Sequence, residues 1–424
     1  MWRLLIMTWV LLWGIPLSTW GDDLTLPAPV VPPAEVVIGS RVWSLPEVVE
    51  QCLARDPGLQ AARAAVASQR HLVYQATRRQ NPTIGYAAAE VGQEGQAGQQ
   101  GVYLQQTLRV PSKRHLDGTI REREVSIASR QLALQEYVSI AVARLTFVEV
   151  AVGSRRVALL ERLQASLEGA IKGIRSQVDG GEVPRSALLQ AQIEARRNHI
   201  GLTRARASYR AACQQLAGLL KQPRFDDQVD TKLLDTTTAP PEYDSAWAML
   251  ESSSPEILIA AMQHNRAGWV VRRQQVEPIS DVDTQWTLQQ DAATNFTVAG
   301  IQVSFEVPIY DKNRGAIHSA RAENRRTHHQ VESVRRALRL RLAQTLGRYQ
   351  QAWQQFRAMQ GDLQSLAKEN LTVVESDFWV GDATYLELLN AQRSFIAVNL
   401  DTLDAQRQLA RESARLDTLL VPVP

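Results

Sequence analysis

GEVPRSALLQAQ (181–192) and GDATYLELLNAQ (381–392) are one segment written twice, 200 residues apart. Gly181 pairs with Gly381, Leu188 and Leu189 with Leu388 and Leu389, and Gln192 with Gln392. The register then runs without a gap until Leu219 and Leu220 fall on Leu419 and Leu420. Upstream, Pro57 in DPGLQAA (56–62) pairs with Pro255 in SPEILIAA (254–261), and Pro111 in LRVPSKR (108–114) pairs with Pro308 in FEVPIYDKNR (305–314). A three-residue insertion after Pro308 restores the later offset. Self-similarity at a fixed offset marks a repeated structural unit, here used twice.

Each unit reads as a short helix, two strands, a very long helix, a sharp turn and a medium helix. The long helices are expected over 113–179 and 314–380, 67 residues each. At 1.5 Å per residue each would span roughly 100 Å, far more than a compact domain needs. Leu342, Leu346, Tyr349, Trp353 and Phe356 step by four and three, and Ile120, Ile127 and Leu134 step by seven, as coiled-coil seams do. Helices of this kind must pack lengthwise. The shorter helices, over 57–80 with 184–221 and over 255–277 with 383–421, total 62 residues in each unit, enough to lie end to end along the long one.

Between the helices lie four segments of about ten residues, at 83–91, 102–110, 282–290 and 297–307, the length at which a tilted strand crosses a bilayer. Two of them alternate clearly. Val102, Leu104, Leu108 and Val110 oppose Tyr103, Gln105, Thr107 and Arg109; Ala299, Ile301, Val303, Phe305 and Val307 oppose Gly300, Gln302, Ser304 and Glu306. That pattern puts apolar residues toward lipid and polar ones toward a lumen, although ordinary hairpins covering a soluble core show the same alternation. The loops after the first and third strands are rich in Gly and Gln or in Asp, Ala, Thr and Asn. Four strands cannot close on themselves, and an open edge in lipid leaves backbone groups unpaired, so the membrane reading requires other protomers to complete the barrel.

The fold class expected is therefore mainly α with a small β part: duplicated antiparallel coiled-coil helices, with two hairpins per protomer contributing to an oligomeric transmembrane β-barrel. The domains read as a signal peptide at 1–21, a Pro-rich segment at 22–44, a first repeat at 45–221, a polar linker at 222–243 and a second repeat at 244–421. The signal peptide rests on Arg3, an apolar run over 4–12, and Ser18, Thr19 and Gly21 before Asp22. No other segment reads as a membrane-spanning helix.

Composition excludes several function classes. Only 23 Gly and 18 Pro with 21% charged residues describe extended helix rather than disorder. A net charge of +3, with arginines dispersed among Glu, Asp and Gln, gives no basic patch for nucleic acid. Cys52 and Cys213 are too few for a disulfide framework and read as small packing residues. None of the seven histidines makes a spaced cluster of the metal-site kind, and His328 and His329 point to different faces of one helix. No GxSxG, phosphate loop, HExxH or dinucleotide fingerprint is present, so the sequence offers no catalytic residues, no cofactor site and no metal site.

The duplicated plan resembles the TolC-like outer membrane efflux protein family over nearly the whole chain, from about 42 to 420. WVGDATYLELLNAQRSF (379–395) is similar to the family's helix-turn-helix segment, and QNPTIGYAAAEVG (80–92) to its entry into the first strand. The resemblance implies a homotrimer in the outer membrane, a twelve-stranded barrel above a helical periplasmic tunnel, and no enzymatic chemistry. It implies two partners, a periplasmic adaptor (membrane fusion) protein and an inner-membrane efflux pump. The adaptor would dock at tip turns carrying Gly180, Gly181, Pro184, Gly381, Asp382 and Thr384.

By position, the family's acidic constriction falls on Glu387 and Asn390. Three copies of Glu387 would favour cations and raise some of their own pKa values by mutual repulsion; a solvated helix residue is the other reading of Glu387. The acid of the second site is replaced by Asn390, and an arginine common in the turn by Ala383. VPSKRHLDGTI (110–120) and VPIYDKNRGAI (307–317) resemble segments of the CzcC-like heavy-metal efflux subgroup, making heavy-metal cations one candidate cargo. A duct for type I protein secretion and a soluble periplasmic coiled-coil spacer are the alternatives.

Overall fold

The computed structural model describes residues 41–89, 92, 98–181, 183–235 and 238–420. The expected signal peptide and most of the Pro-rich segment lie outside the described residues. Chain order is β1 (Val42–Trp43), α1 (Leu45–Arg55), α2 (Pro57–Ala76), β2 (Thr83–Ala89), β3 (Gln99–Leu108), α3 (Pro111–Asp179) and α4 (Arg185–Leu219). After β4 (Gln228–Val229) and a 3₁₀ turn (Lys232–Asp235) the pattern returns as α5 (Tyr243–Ser253), α6 (Pro255–Val276), β5 (Val282–Asp291), β6 (Thr297–Phe305), α7 (Arg314–Ala358), a π turn (Met359–Leu363), α8 (Gln364–Val380) and α9 (Tyr385–Leu420).

The first long helix begins two residues earlier than expected, because Pro111 suits the first helical position, where its missing N–H would have no partner anyway. The second is not continuous: five residues, Met359–Leu363, take π geometry and divide it into α7 and α8. The π turn holds Gly361, a weak helix former, at its centre. The strands end earlier than read from sequence, β3 at Leu108 and β6 at Phe305. At the first of these ends the Val110 N–H leaves the ladder and donates to Asp281 Oδ1 at 2.7 Å.

Both α1 and α5, eleven residues each, precede a proline that opens the next helix. The first break is capped by Asp56, whose Oδ1 accepts the Gly58 N–H at 2.7 Å. As expected, two helices share one long partner: α2 and α4 both pack on α3, while α6 and α9 pack on α7. The repeats meet where α6 and α9 also lie against α3.

One core joins Trp43, Val48 and Cys52 to Phe147, Val148 and Val152 of α3, to Leu216 of α4 and to Leu220 just after it. The other joins Ala246 and Leu250 of α5 to Leu338, Leu342, Leu346, Tyr349 and Phe356 of α7 and to Leu409 and Leu416 of α9. The seam read at Leu342, Leu346, Tyr349 and Phe356 is thus the buried stripe of α7. The linker holds β4, which pairs in parallel with β1, and Trp43 Nε1 donates to Asp227 Oδ2 at 2.8 Å.

Cys52 and Cys213 are free, and burial pushes both thiols up, as expected of packing residues rather than reactive ones. One reading needs correction: α3 contains an 18-residue window of mean hydropathy 1.4, long and apolar enough to cross a membrane by length and composition. Half of that window is buried in the protein, and Ala143, Phe147, Val148, Val150, Ala151 and Val152 of α3 supply much of the first core. A core helix buried on several sides accumulates apolar residues for that reason.

Candidate functional site

Four strands form one antiparallel sheet in the order β2-β3-β5-β6. The ladder aligns the apolar residues of all four strands, including the two whose sequence patterning is poor. Ile84, Leu104, Trp286 and Ile301 stand in one row, and Tyr86, Val102, Leu288 and Ala299 in the next. Ile84 and Ile301 are 76% and 74% exposed, and Tyr86, Val102 and Leu288 are each more than half exposed. An exposed apolar band this wide marks a surface made for lipid or a partner.

The opposite face carries Thr83, Gln105, Gln285 and Gln302 in one row and Gly85, Tyr103, Thr287 and Gly300 in the next. The Tyr103 ring lies over Gly85, where any Cβ would come within 2.6 Å of it. This face is polar and hydrogen-bonding, as a water-filled barrel interior requires. The edges of the sheet are β2 and β6.

Where the sheet joins the helices, the LRVPSKR segment builds an ion network. Lys113 is only 4% exposed. Its Nζ lies 3.5 Å from Asp281 and 3.9 Å from Glu277. Asp117 holds Arg109 and Arg273, each at 2.7 Å, and Arg273 continues to Glu277. The first hairpin and the start of α3 are thereby tied to the end of α6 and the start of β5. In the second repeat, Asn313 adopts a left-handed φ of 54° and its amide donates to the Gln274 carbonyl at 2.9 Å. Asp311 Oδ1 accepts the Asn313 N–H at 2.8 Å, so the DKN stretch is a turn that starts α7.

At the far end, Gly181 (φ 82°) and Gly381 (φ 95°) hold the left-handed conformation that ends a helix and that a side chain would strain. The Asp377 carbonyl accepts the N–H groups of Gly381, Asp382 and Ala383. Thr384 and Glu387 then form a capping box: the Thr384 N–H and hydroxyl donate to Glu387 Oε2 at 2.7 and 2.8 Å. In the first turn Pro184 occupies the cap position and has no side-chain cap. Glu387 and Asn390 share the exposed face of α9, while Leu388 and Leu389 between them are buried. Beneath the turns Leu389 packs with Ile174, Ala187 and Ala191, and Arg393 pairs with Glu194, joining α9 to α4. A cleft of about 480 Å³ opens beside this cluster, lined by small residues of α3, among them Gly169 and Gly173, and by Glu375, Phe378 and Gln392.

The expected repulsion among three copies of Glu387 belongs to an assembled ring; within one protomer the carboxylate answers to its own turn. The two Thr384 hydrogen bonds favour its charged form and hold its pKa below the ordinary carboxylate range. The cap therefore contributes above the ordinary carboxylate range and is lost as pH falls through the lowered value. Amide protection in the first turn of α9 is expected to drop on acidification, and Glu387→Gln to abolish that pH dependence. Hydrogen exchange followed from neutrality downward checks this; protection independent of pH would separate the cap from ionisation.

The sequence reading missed Lys113 as a buried ion, although Glu277 and Asp281, one turn apart in the second repeat, were its available signal. It also missed the approach of His264 to His328, which lie on different helices.

The described residues 248–420 match the family model of the outer membrane efflux protein. The chain is 21% identical over 280 residues to the cobalt-zinc-cadmium resistance protein CzcC of Cupriavidus metallidurans, covering 65% of this chain and 66% of that protein. It is 23% identical over 382 residues to the outer membrane efflux protein BepC of Brucella suis, covering 85% and 78%. The open state of the Neisseria gonorrhoeae MtrE outer membrane channel superposes with a TM-score of 0.73 at 16% identity, over 89% of this chain and 88% of that one. The repeated architecture, the sheet with one apolar and one polar face, and these likenesses agree: residues 248–420 match the outer membrane efflux protein family, and the chain has the fold of the outer membrane channels it resembles.

Proposed function

We propose that this chain is one protomer of a homotrimeric export duct. It conducts substrate passively from an inner-membrane pump and a periplasmic adaptor, through the outer membrane, to the exterior. The observation that carries this reading is the four-stranded sheet with an exposed apolar face, a polar face and two edges. Three such sheets joined β6 to β2 make twelve strands, satisfy every edge and enclose a lumen lined by Gln and Thr. The duct is a channel and not an enzyme.

In this reading the turns at Gly180, Gly181 and Pro184 and at Gly381, Asp382 and Thr384 receive the adaptor. The small-residue cleft beside them offers backbone-close packing for an incoming helix. Glu387 and Asn390 line the entrance, where three carboxylates favour cations. The two halves of the chain act as repeats at 45–221 and 244–421 joined by the linker at 222–243. Heavy-metal cations are the proposed cargo, supported by the likeness to a cobalt-zinc-cadmium resistance protein.

Membrane fractionation followed by unheated electrophoresis and cross-linking tests the assembly. A heat-sensitive trimer in the outer membrane is expected, and a soluble monomer or dimer would sink the barrel in favour of a periplasmic spacer. A deletion strain should accumulate cobalt, zinc or cadmium and grow poorly on them. Unchanged tolerance with a trimer still present would remove the cargo assignment alone.

A further inference from the structure

Three of the seven histidines meet on the α6–α7 pair. The ring of His264, on α6, lies 5.4 Å from that of His328, on α7, and His328 lies 5.6 Å from His329. His264 is half-buried and the other two are exposed. Two imidazoles at this separation, offered by neighbouring helices, can turn one nitrogen each toward a shared ion.

The hydrogen bonds around His264 fix which of its nitrogens is free. Thr327 is buried, and its hydroxyl donates its single proton to the Asn324 carbonyl at 2.9 Å. Thr327 Oγ1, 3.2 Å from His264 Nδ1, must then accept, so His264 carries its proton on Nδ1 and presents an Nε2 lone pair. A ring N–H anchored by a second residue while the other nitrogen faces outward is the arrangement that orients metal-ligating histidines.

We propose that His264 Nε2 and His328 bind a borderline divalent cation of the Zn²⁺, Ni²⁺ or Cu²⁺ class. Imidazole suits these ions over Mg²⁺ or Ca²⁺. Among the described residues no group of three or more His, Cys, Asp and Glu stands close enough to hold an ion. The site is therefore a two-histidine pair with water in the remaining positions. It lies on the helical wall away from both the tip and the sheet, and it stands independently of the cargo. A deletion strain with normal metal tolerance would leave it untouched.

The test is titration of the purified full-length protein, carrying no polyhistidine tag, with Zn²⁺ and Cu²⁺ by calorimetry and electron paramagnetic resonance. One ion per chain is expected, with at least two nitrogens in the Cu²⁺ spectrum. His264→Ala and His328→Gln should each weaken binding by about tenfold or more and remove one nitrogen. Thr327→Val, which removes the anchor alone, should weaken it by about tenfold, the low end for such supporting partners. His71→Ala and His199→Ala should change nothing. His328→Gln alters an exposed side chain and spares the fold, so its result stands even if His264→Ala is poorly expressed. Wild-type binding no tighter than that of His328→Gln, or no binding at all, would overturn the site.

Discussion

Ile301→Arg is expected to eliminate the assembled barrel while leaving the helical part folded. Ile301 sits at the middle of nine-residue β6, in register with Trp286, and is 74% exposed on the apolar face. A charged side chain at the bilayer midplane of a barrel costs about 2–4 kcal/mol. In the proposed trimer that penalty is incurred three times for one substitution, enough to reverse the balance between inserted and uninserted states. Gln302→Arg, one residue along, places the same charge on the polar face and should be tolerated. Heat-modifiable trimer in the outer-membrane fraction is the measurement. Equal loss from both variants would mean that the two faces do not differ in environment, and the assignment of lipid and lumen would fall.

Lys113→Met should be the most destabilising change in the helical part that leaves packing volume nearly intact. Methionine keeps most of the apolar stem but abandons Asp281 and Glu277 beside a site where Lys113 was 4% exposed. Removing one member of a buried ion pair costs about 3–5 kcal/mol. The low end applies here, because both carboxylates keep some contact with water. The expected result is a lowered denaturation temperature of the detergent-solubilised protein. Asp281→Asn added to Lys113→Met should recover part of the loss, since the nearer charge left behind is then also removed while the side-chain oxygen can still accept the Val110 N–H. A Lys113→Met variant as stable as the parent would show that Arg273 and solvent already satisfy the carboxylates.

Much of the architecture was legible because it is written in long, repeated patterns. The match of residues 181–192 to 381–392 located both turns, and the four-three steps from Leu342 to Phe356 identified the buried stripe of α7. The strands could be placed because four segments of about ten residues lie between the helices and two of them alternate clearly. What escaped the reading depends on tertiary proximity. The pairing of β1 with β4 involves two residues on each side, too short for any periodicity. The helices α1 and α5 were hidden because Pro57 and Pro255 read as starts, and each start conceals a helix ending two residues before it. His264 and His328 meet only because α6 lies against α7. Glu387 was read through its proposed neighbours in a trimer, whereas within its own chain Thr384 determines its ionisation.

The π turn at Met359–Leu363 breaks an equality that the repeat otherwise keeps. From residue 114 to 180 and from 314 to 380 the two halves have the same number of residues. An α-helix advances each residue by about 100° around its axis, and a single π turn takes up one residue more than an α turn does. Side chains of α8 are thus turned by about one residue's step from where an unbroken α7 would carry them, and in that phase Ala367, Leu371, Val374 and Phe378 turn inward at the positions of Leu167, Ile171, Ile174 and Val178. Corresponding letters at the two tips therefore face corresponding directions despite the interruption above them. A ring built from copies of this chain would present two alternating kinds of hairpin whose matching letters share an azimuth, so a protein that seats itself on one kind must tell it from the other by the letters that differ and not by their phase.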